Sequence, residues 1–235
     1  MSEAVDFPKL SEHILEIRIK PNPSFLDYRG EYAQTIKKLM GLQNWQINSN
    51  RIDIFDEENT IRAFLSFKNL GFVMKNSVNK NYFADQSIKF VKYVLSNKPF
   101  ETPIHVMRLG VRSRFVHGVD INFSDLLSMY MKTYVNLSDK AKEIINAKII
   151  DFGSPINFET PYGKINSLVG PMEKTQLQEF FPSVKDVPNV ALYVDLDYWK
   201  VYDRQLKTEE ITSAIKQYSG ESWDIDNQLF KLITG

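Results

Sequence analysis

The stretch Ile61-Arg-Ala-Phe-Leu-Ser-Phe-Lys-Asn-Leu-Gly-Phe-Val-Met-Lys75 decides the fold, because it holds two short strands joined by a brief polar link. The link is Lys68-Asn69, and apolar and β-branched residues flank it on both sides. A link this short joins antiparallel neighbours, whereas parallel strands need a crossover of about a dozen residues or more. The stretch therefore predicts an antiparallel sheet.

Strands and amphipathic helices extend this pattern in both directions. The apolar periods and capping residues predict strands at 13–20 and 45–55, helices from Ser24 to Gly41, at 82–95 and at 123–134, and a long strand at 104–119 with a bulge at Gly110. Further along they predict a short helix or strand edge at 138–147, a hairpin of 149–159 and 164–169, a helix at 173–181, a strand at 190–201, a helix from Thr208 and a separate helical segment after Gly220. We expect one α+β domain over 1–235, with mostly antiparallel sheet and long amphipathic helices packed on one face. Its two lobes would span 1–120 and 121–235.

The composition narrows the classes of function. Hydrophobic residues make up 43% and charged residues 25%, which is typical of a globular protein. Lys+Arg and Asp+Glu are equal at 29 each, so net charge does not indicate nucleic-acid binding or attraction to an anionic membrane. The lack of cysteine excludes disulfides, thiolate metal sites and cysteine nucleophiles. Without signal-peptide features or an apolar run of about 18 residues, a cytoplasmic protein with no membrane segment is expected.

Three arginines share one face of the strand predicted around Gly110. Side chains alternate along a strand, so Arg108, Arg112 and Arg114 point one way. The other face takes His105, Met107, Leu109, Val111 and Phe115. A row of guanidiniums beside a glycine can hold phosphates or a carboxylate through bidentate hydrogen bonds. The alternative is that the arginines face solvent or pair with acidic neighbours.

Two aspartates share one face of the late strand Val190-Ala-Leu-Tyr-Val-Asp-Leu-Asp-Tyr-Trp199. Asp195 and Asp197 are separated by one residue, which places them roughly 7 Å apart. Such a pair can bind Mg²⁺ or Mn²⁺ if a third ligand converges, and Asp53 and Asp151 are candidates. The alternative is a cross-strand ladder of ion pairs with the three arginines.

The chain has none of the common catalytic motifs. It contains no phosphate-binding loop, dinucleotide-binding glycine motif, nucleophile elbow or H-E-x-x-H sequence. His105 and His117 lie too far apart on an extended strand to share a metal ion. No catalytic residue is therefore assigned.

Several short motifs resemble a sporadically distributed family of uncharacterised bacterial proteins of similar length. Leu10 to Ile19 is similar to the family's opening L-x-E-[VI]-x-[FI]-E-[LI]-R-[FI], and Leu192 to Tyr198 to its late L-x-[LI]-D-[LIV]-D strand. Leu109 to Arg112 resembles its mid-chain arginine strand, and the end of the chain resembles Phe-x-x-[IL]-[ST]. The sequence departs from the family at Ser113 and Arg114. The resemblance implies no activity and only a mobile-element or defence-associated setting.

We therefore expect a non-catalytic binding or assembly protein that recognises a protein partner or forms a homo-oligomer. One alternative is a metal-dependent enzyme acting on a phosphorylated or nucleotide substrate, with Mg²⁺ at Asp195 and Asp197. Another is focused nucleic-acid binding through Arg108, Arg112 and Arg114. Enzymatic activity is left open.

Overall fold

The computed structural model describes residues 9–135, 149–182 and 184–235. The strands are β1 Lys9–Ile19, β2 Asn44–Ile47, β3 Arg51–Phe55, β4 Ile61–Ser66, β5 Asn69–Lys75, β6 Ile104–Gly118, β7 Ser154–Glu159, β8 Lys164–Glu173 and β9 Val190–Leu206. The helices are α1 Phe25–Met40, α2 Tyr82–Leu95, α3 Phe123–Tyr134, α4 Lys174–Phe180 and α5 Thr208–Thr234. This content confirms the α+β prediction.

All nine strands belong to one antiparallel sheet, in the order β2-β3-β4-β5-β1-β6-β9-β8-β7. The two-residue link between β4 and β5 produces the antiparallel pair that the opening stretch predicts. Strands from both halves of the chain join in this sheet, because β6 pairs with β9 along almost its whole length. The centre of the sheet is therefore β1, β6 and β9.

Helices α1, α2, α3 and α5 pack on one face of the sheet. Each strand sends alternate apolar residues to that face, and at the centre these include the fully buried Leu15, Val111 and Val194. A smaller cluster lies on the opposite face, where Leu177 of α4 packs against Val116 and Tyr193. Away from α4, the opposite face carries charged side chains.

The local signals set several helix ends. Gly41 follows α1 with a φ of 68°, and its backbone N–H donates to the Lys37 carbonyl, which is the left-handed C-terminal cap expected of glycine. The Asn122 side chain accepts a hydrogen bond from the Asp125 backbone N–H at 2.9 Å and so caps α3. Helices α2 and α3 have the predicted bounds.

Four predictions need correction. The strand predicted at 45–55 is a hairpin, because the polar turn after Ile47 separates β2 from β3. The register shift between β6 and β9 falls between Val106 and Arg108 rather than at Gly110, so Met107 is exposed instead of sharing the buried face of Leu109. Residues 149–153 are not strand, and helix α5 continues through Gly220. The element predicted at 138–147 lies outside the described residues.

Candidate functional site

The arginine strand and the aspartate strand are neighbours, and their charged side chains lie on the same face. In the register of β6 and β9, Arg112 is opposite Asp197 and Arg114 is opposite Asp195. We call this the charged face: the sheet face opposite the four packed helices, which carries these residues, Arg108 and the β1 carboxylates Glu12 and Glu16. The cross-strand ladder considered from the sequence is therefore present.

Both carboxylate oxygens of Asp195 accept hydrogen bonds. Arg112 donates from Nε to Asp195 Oδ1 at 2.9 Å and from Nη2 to Oδ2 at 2.5 Å, and the Tyr193 hydroxyl donates to Oδ2 at 3.1 Å. Arg114 Nη1 donates to Glu12 at 2.9 Å, and its Nε lies 3.6 Å from Asp195. The hydrogen bonds to Asp195 raise the pKa of the Arg112 guanidinium. Asp195 is only 4% exposed, so this carboxylate is committed to the arginines.

The part of the ladder at Asp197 is incomplete. Arg108 Nη2 donates to Asp197 Oδ2 at 3.3 Å, which is long for a charge-assisted hydrogen bond. The Arg108 guanidinium lies 4.8 Å from the centre of the Trp199 ring, so the indole orients it. Burial raises the pKa of Asp197, and the nearby Arg108 and Arg112 oppose that effect only in part. The environment of Asp197 therefore favours its neutral form more than an exposed site would.

A cavity of about 200 Å³ opens beside this incomplete pair. Its lining consists of Ile14, Glu16, Arg108, Gly110, Arg112 and Asp197. Gly110 lies between Glu16 on β1 and Trp199 on β9, and without a side chain it leaves the floor of the cavity open. A Cβ atom built there would lie 3.2 Å from the Trp199 Cβ, so a larger residue would fill or displace this space. Two guanidiniums on opposite sides of the cavity can together hold one small anionic group.

Most arginines of the chain lie on the charged face. The sequence has eight arginines, and strand alternation and register place six on this face: Arg18, Arg51, Arg62, Arg108, Arg112 and Arg114. Arg51 and Arg62 both donate to Asp53, which is 5% exposed. The face thus has two buried carboxylates, Asp53 and Asp195, that arginines hold, and Arg112 of the Asp195 pair also lines the Gly110 cavity.

The two candidates for a third metal ligand do not approach Asp195 and Asp197. Asp53 lies on β3 and pairs with Arg51 and Arg62. Four strands separate β3 from β9. Asp151 accepts a hydrogen bond from Gln176. Among residues 9–135, 149–182 and 184–235, no three His, Asp or Glu side chains converge in a way that could hold a metal ion.

His105 and His117 contact separate carboxylates. His105 Nε2 lies 2.9 Å from Asp203, near the bulge of β6. His117 Nε2 lies 2.8 Å from the fully buried Asp226 of α5 and stacks on Phe230. The second contact ties the end of β6 to the last helix, and neither histidine reaches the Gly110 cavity.

Sequence reasoning missed Ile14, Glu16 and Trp199 as parts of the site. Glu12, Ile14 and Glu16 alternate along β1 in phase with the arginines of β6, and this alternation is visible in the sequence. It becomes informative only once β1 and β6 are known to pair. Trp199 follows Asp195 and Asp197 at the same spacing of two residues, and that pattern was a usable signal.

The fold and site define an α+β sheet protein with an arginine-rich face and an open anion-sized cavity. In comparisons with known proteins, no family model matches the chain, and no curated protein matches it either. In the described part of the chain, none of the helices combines the length and the apolar character needed to cross a membrane.

Proposed function

We propose that this protein is a non-catalytic binding protein that recognises a carboxylate of a protein partner in the Gly110 cavity. The observation that carries the proposal is the cavity floored by Gly110, in which the loosely held Arg108 and one edge of the Asp195-bound Arg112 line the same space. The proposal keeps the binding role expected from the sequence and assigns it a surface. A mobile-element or defence-associated setting rests on the family resemblance alone.

The size and charge of the site favour a single small oxyanion. A volume of about 200 Å³ accommodates a carboxylate or phosphoryl group but is small for a whole nucleotide. The guanidinium fork matches either oxyanion, so the two share one recognition chemistry. The acidic side chains Glu12, Glu16, Asp53, Asp195 and Asp197 offset the arginines of this face. A nucleic-acid backbone would therefore meet little net attraction, and a single protein carboxylate is the better fit.

The lining groups suit binding better than catalysis. Guanidiniums stay protonated in proteins, so Arg108 and Arg112 supply charge and donors but no general base. Glu16 already accepts hydrogen bonds on both oxygens, from Arg18 and from Asn69. Asp197 is the internal competitor for Arg108, and a bound carboxylate would replace its long 3.3 Å contact.

A test follows from the arginine side-chain signals in a ¹H–¹⁵N spectrum, since the chain has only eight arginines. Titration with a short poly-glutamate peptide should shift the Nε–H signals of Arg108 and Arg112. Arg108→Gln should weaken binding about 10-fold or more, because a hydrogen bond between charged groups contributes about 1.5–3 kcal/mol. Arg62→Gln is the matched control: Arg62 lies on the same face, bonds Asp53 and does not line the cavity.

The pH dependence of peptide binding provides a second test of the proposed site. Because burial raises the pKa of Asp197, lowering the pH neutralises this carboxylate before an ordinary exposed aspartate and so frees Arg108. Binding should strengthen as the pH falls toward the raised Asp197 pKa, provided the peptide carboxylates remain ionised. Asp197→Asn should bind more tightly at neutral pH and lose this dependence. Equal binding by the Arg108→Gln and Arg62→Gln proteins would refute the site. A preference for single-stranded DNA over poly-glutamate would favour the nucleic-acid alternative instead.

A further inference from the structure

Strand β7 forms one edge of the sheet, and nothing in the described part of the chain pairs with its outer side. Five of its six residues are exposed, from Pro155 to Glu159. Natural proteins usually protect such an edge with charges, proline, bulges or a very short strand. Here β7 carries one charged residue, Glu159, and one proline, Pro155. The edge is therefore only weakly protected against pairing with another strand.

The direction of the backbone groups follows from the turn between β7 and β8. The Thr160 N–H donates to the Gly163 carbonyl at 2.8 Å, and Phe158 is paired with Ile165. Hydrogen-bonded and non-bonded pairs alternate along antiparallel strands, so Phe158 and Ile156 direct their backbone groups toward β8. Asn157 and Glu159 direct theirs outward, into the open edge.

The side chains on the helical side of this edge are apolar. Ile156 is 36% exposed and Phe158 is 49% exposed. Both line an apolar cavity of about 330 Å³, together with Ile225 and Leu229 of α5 and other residues of α3, β8 and β9. Exposed apolar side chains next to open backbone donors and acceptors are typical of a surface that adds a strand.

We propose that β7 pairs with β7 of a second copy of this chain, in an antiparallel register centred on Asn157. In this register the two Asn157 residues exchange backbone hydrogen bonds, and the Glu159 N–H of each copy donates to the Pro155 carbonyl of the other. Ile156 lies opposite Phe158 of the second copy, so each exposed apolar side chain covers another. Glu159 lies opposite Pro155, so no like charges meet. The edge is thus complementary to itself under a two-fold axis.

The other edge, β2, is a poorer candidate although it also exposes apolar side chains. It has four residues, and Arg29 of α1 donates to the carbonyls of Asn48 and Ser49 at its end. A very short edge strand is itself a protective feature. Trp45 is 51% exposed, close to the exposure of Phe158, and so provides a matched control. The inference for β7 does not depend on the proposed carboxylate site.

The absence of cysteine from the chain makes cross-linking a direct test of the register. A hydrogen-bonded cross-strand pair has Cα atoms about 5.5 Å apart, which lies within the range of about 4.4–6.8 Å for a disulfide. Asn157→Cys should therefore form a covalent dimer under mild oxidation. Gln46→Cys, on the other edge, should remain monomeric under the same conditions.

Analytical ultracentrifugation of the unmodified protein gives the second readout. Because a single strand pair buries less than the roughly 1,200 Å² of a standard stable interface, we expect a concentration-dependent dimer. Phe158→Lys should weaken dimerisation about 10-fold or more, whereas Trp45→Lys should leave it unchanged, with circular dichroism confirming that both variants are folded. A monomer at all concentrations up to about 500 µM, where a dissociation constant in the micromolar range would be evident, would overturn the proposal. So would equal cross-linking of the two cysteine variants.

Discussion

Asp195 and Asp197 lie two residues apart on one strand, but we predict that asparagine will affect stability differently at the two positions. Asp195→Asn should destabilise the protein, whereas Asp197→Asn should not. Asp195→Asn removes the charge that Arg112 and Arg114 surround and weakens the paired hydrogen bonds from Arg112. Breaking a buried ion pair costs about 3–5 kcal/mol. The Arg112 side chain is 41% exposed and can turn to solvent, so we expect a smaller loss in the free energy of unfolding, about 2–3 kcal/mol.

Asp197→Asn should change stability little or increase it at neutral pH. Its contact with Arg108 is long, and burial raises its pKa, which means that the folded state disfavours its charge. A carboxyl whose pKa is raised in the folded state stabilises that state at low pH, and this contribution is lost as the pH rises from the ordinary value near 3.8 through the raised value. The asparagine variant lacks this loss, so it should gain stability relative to the unmodified protein as the pH rises through that window.

Urea denaturation monitored by circular dichroism, at pH 4 and pH 7, measures both effects. The denaturation midpoints should separate the two variants at pH 7, with unchanged slopes indicating that the denatured state is not altered. For a chain of this size, a loss of 2–3 kcal/mol corresponds to a fall in melting temperature of roughly 4–12 °C. Equal destabilisation by the two substitutions would refute the distinction between a closed and an open part of the ladder.

Two further predictions concern glycines that differ in the space around them: neighbouring atoms leave no room for a side chain at Gly71, whereas the space at Gly30 is open. Gly71→Ala should destabilise the protein by about 1–3 kcal/mol, because a Cβ atom would clash with the Phe64 ring and the Leu15 carbonyl oxygen; Gly30→Ala, in an exposed helical position with nothing nearby, should stabilise it by about 0.5–1 kcal/mol. If thermal melts showed that both substitutions raise the melting temperature, or that both lower it, this account would be contradicted. Asn122→Ala should cost about 1 kcal/mol through loss of the α3 cap, and an unchanged melting temperature would show that the cap does not contribute.

The sequence predicts best those features that a few neighbouring residues determine. Gly41 after α1 and the two-residue link between β4 and β5 each specify a local geometry, and the structure agrees with both. The turn between β2 and β3 was missed because its polar residues interrupt an apolar run only briefly. Gly220 does not end α5, since Tyr218 and Ser222 on either side of it are buried and packing outweighs the weak helix propensity of glycine.

Features that depend on which strands pair could be predicted only as alternatives. The ion-pair ladder was one of two interpretations of the arginines and aspartates, and choosing between them required the register of β6 against β9. The bulge was predicted at Gly110 because glycine often marks one, whereas in the structure the extra residue of β6 is Met107, opposite the step from Arg18 to Ile19 of β1. The cavity itself needs three strands, so no single stretch of sequence contains it.

The difference between the two parts of the ladder explains how a binding site can lie on a face whose other charged side chains pair with one another. If every carboxylate were held as Asp195 is, the arginines would serve only to stabilise the sheet, and no donor would remain for a ligand. At one position the pairing is looser, because Arg108 is opposite Val201 and reaches Asp197 only diagonally, across the pair of Gly110 and Trp199, at 3.3 Å. Its guanidinium lies over the Trp199 ring instead. The completed pair of Arg112 and Asp195 links β6 and β9 beside the cavity and holds Arg112 in place, which lowers the entropic cost of binding at the open position. On this reasoning the paired arginines are the support of the site, and Arg108 is the side chain on which recognition depends.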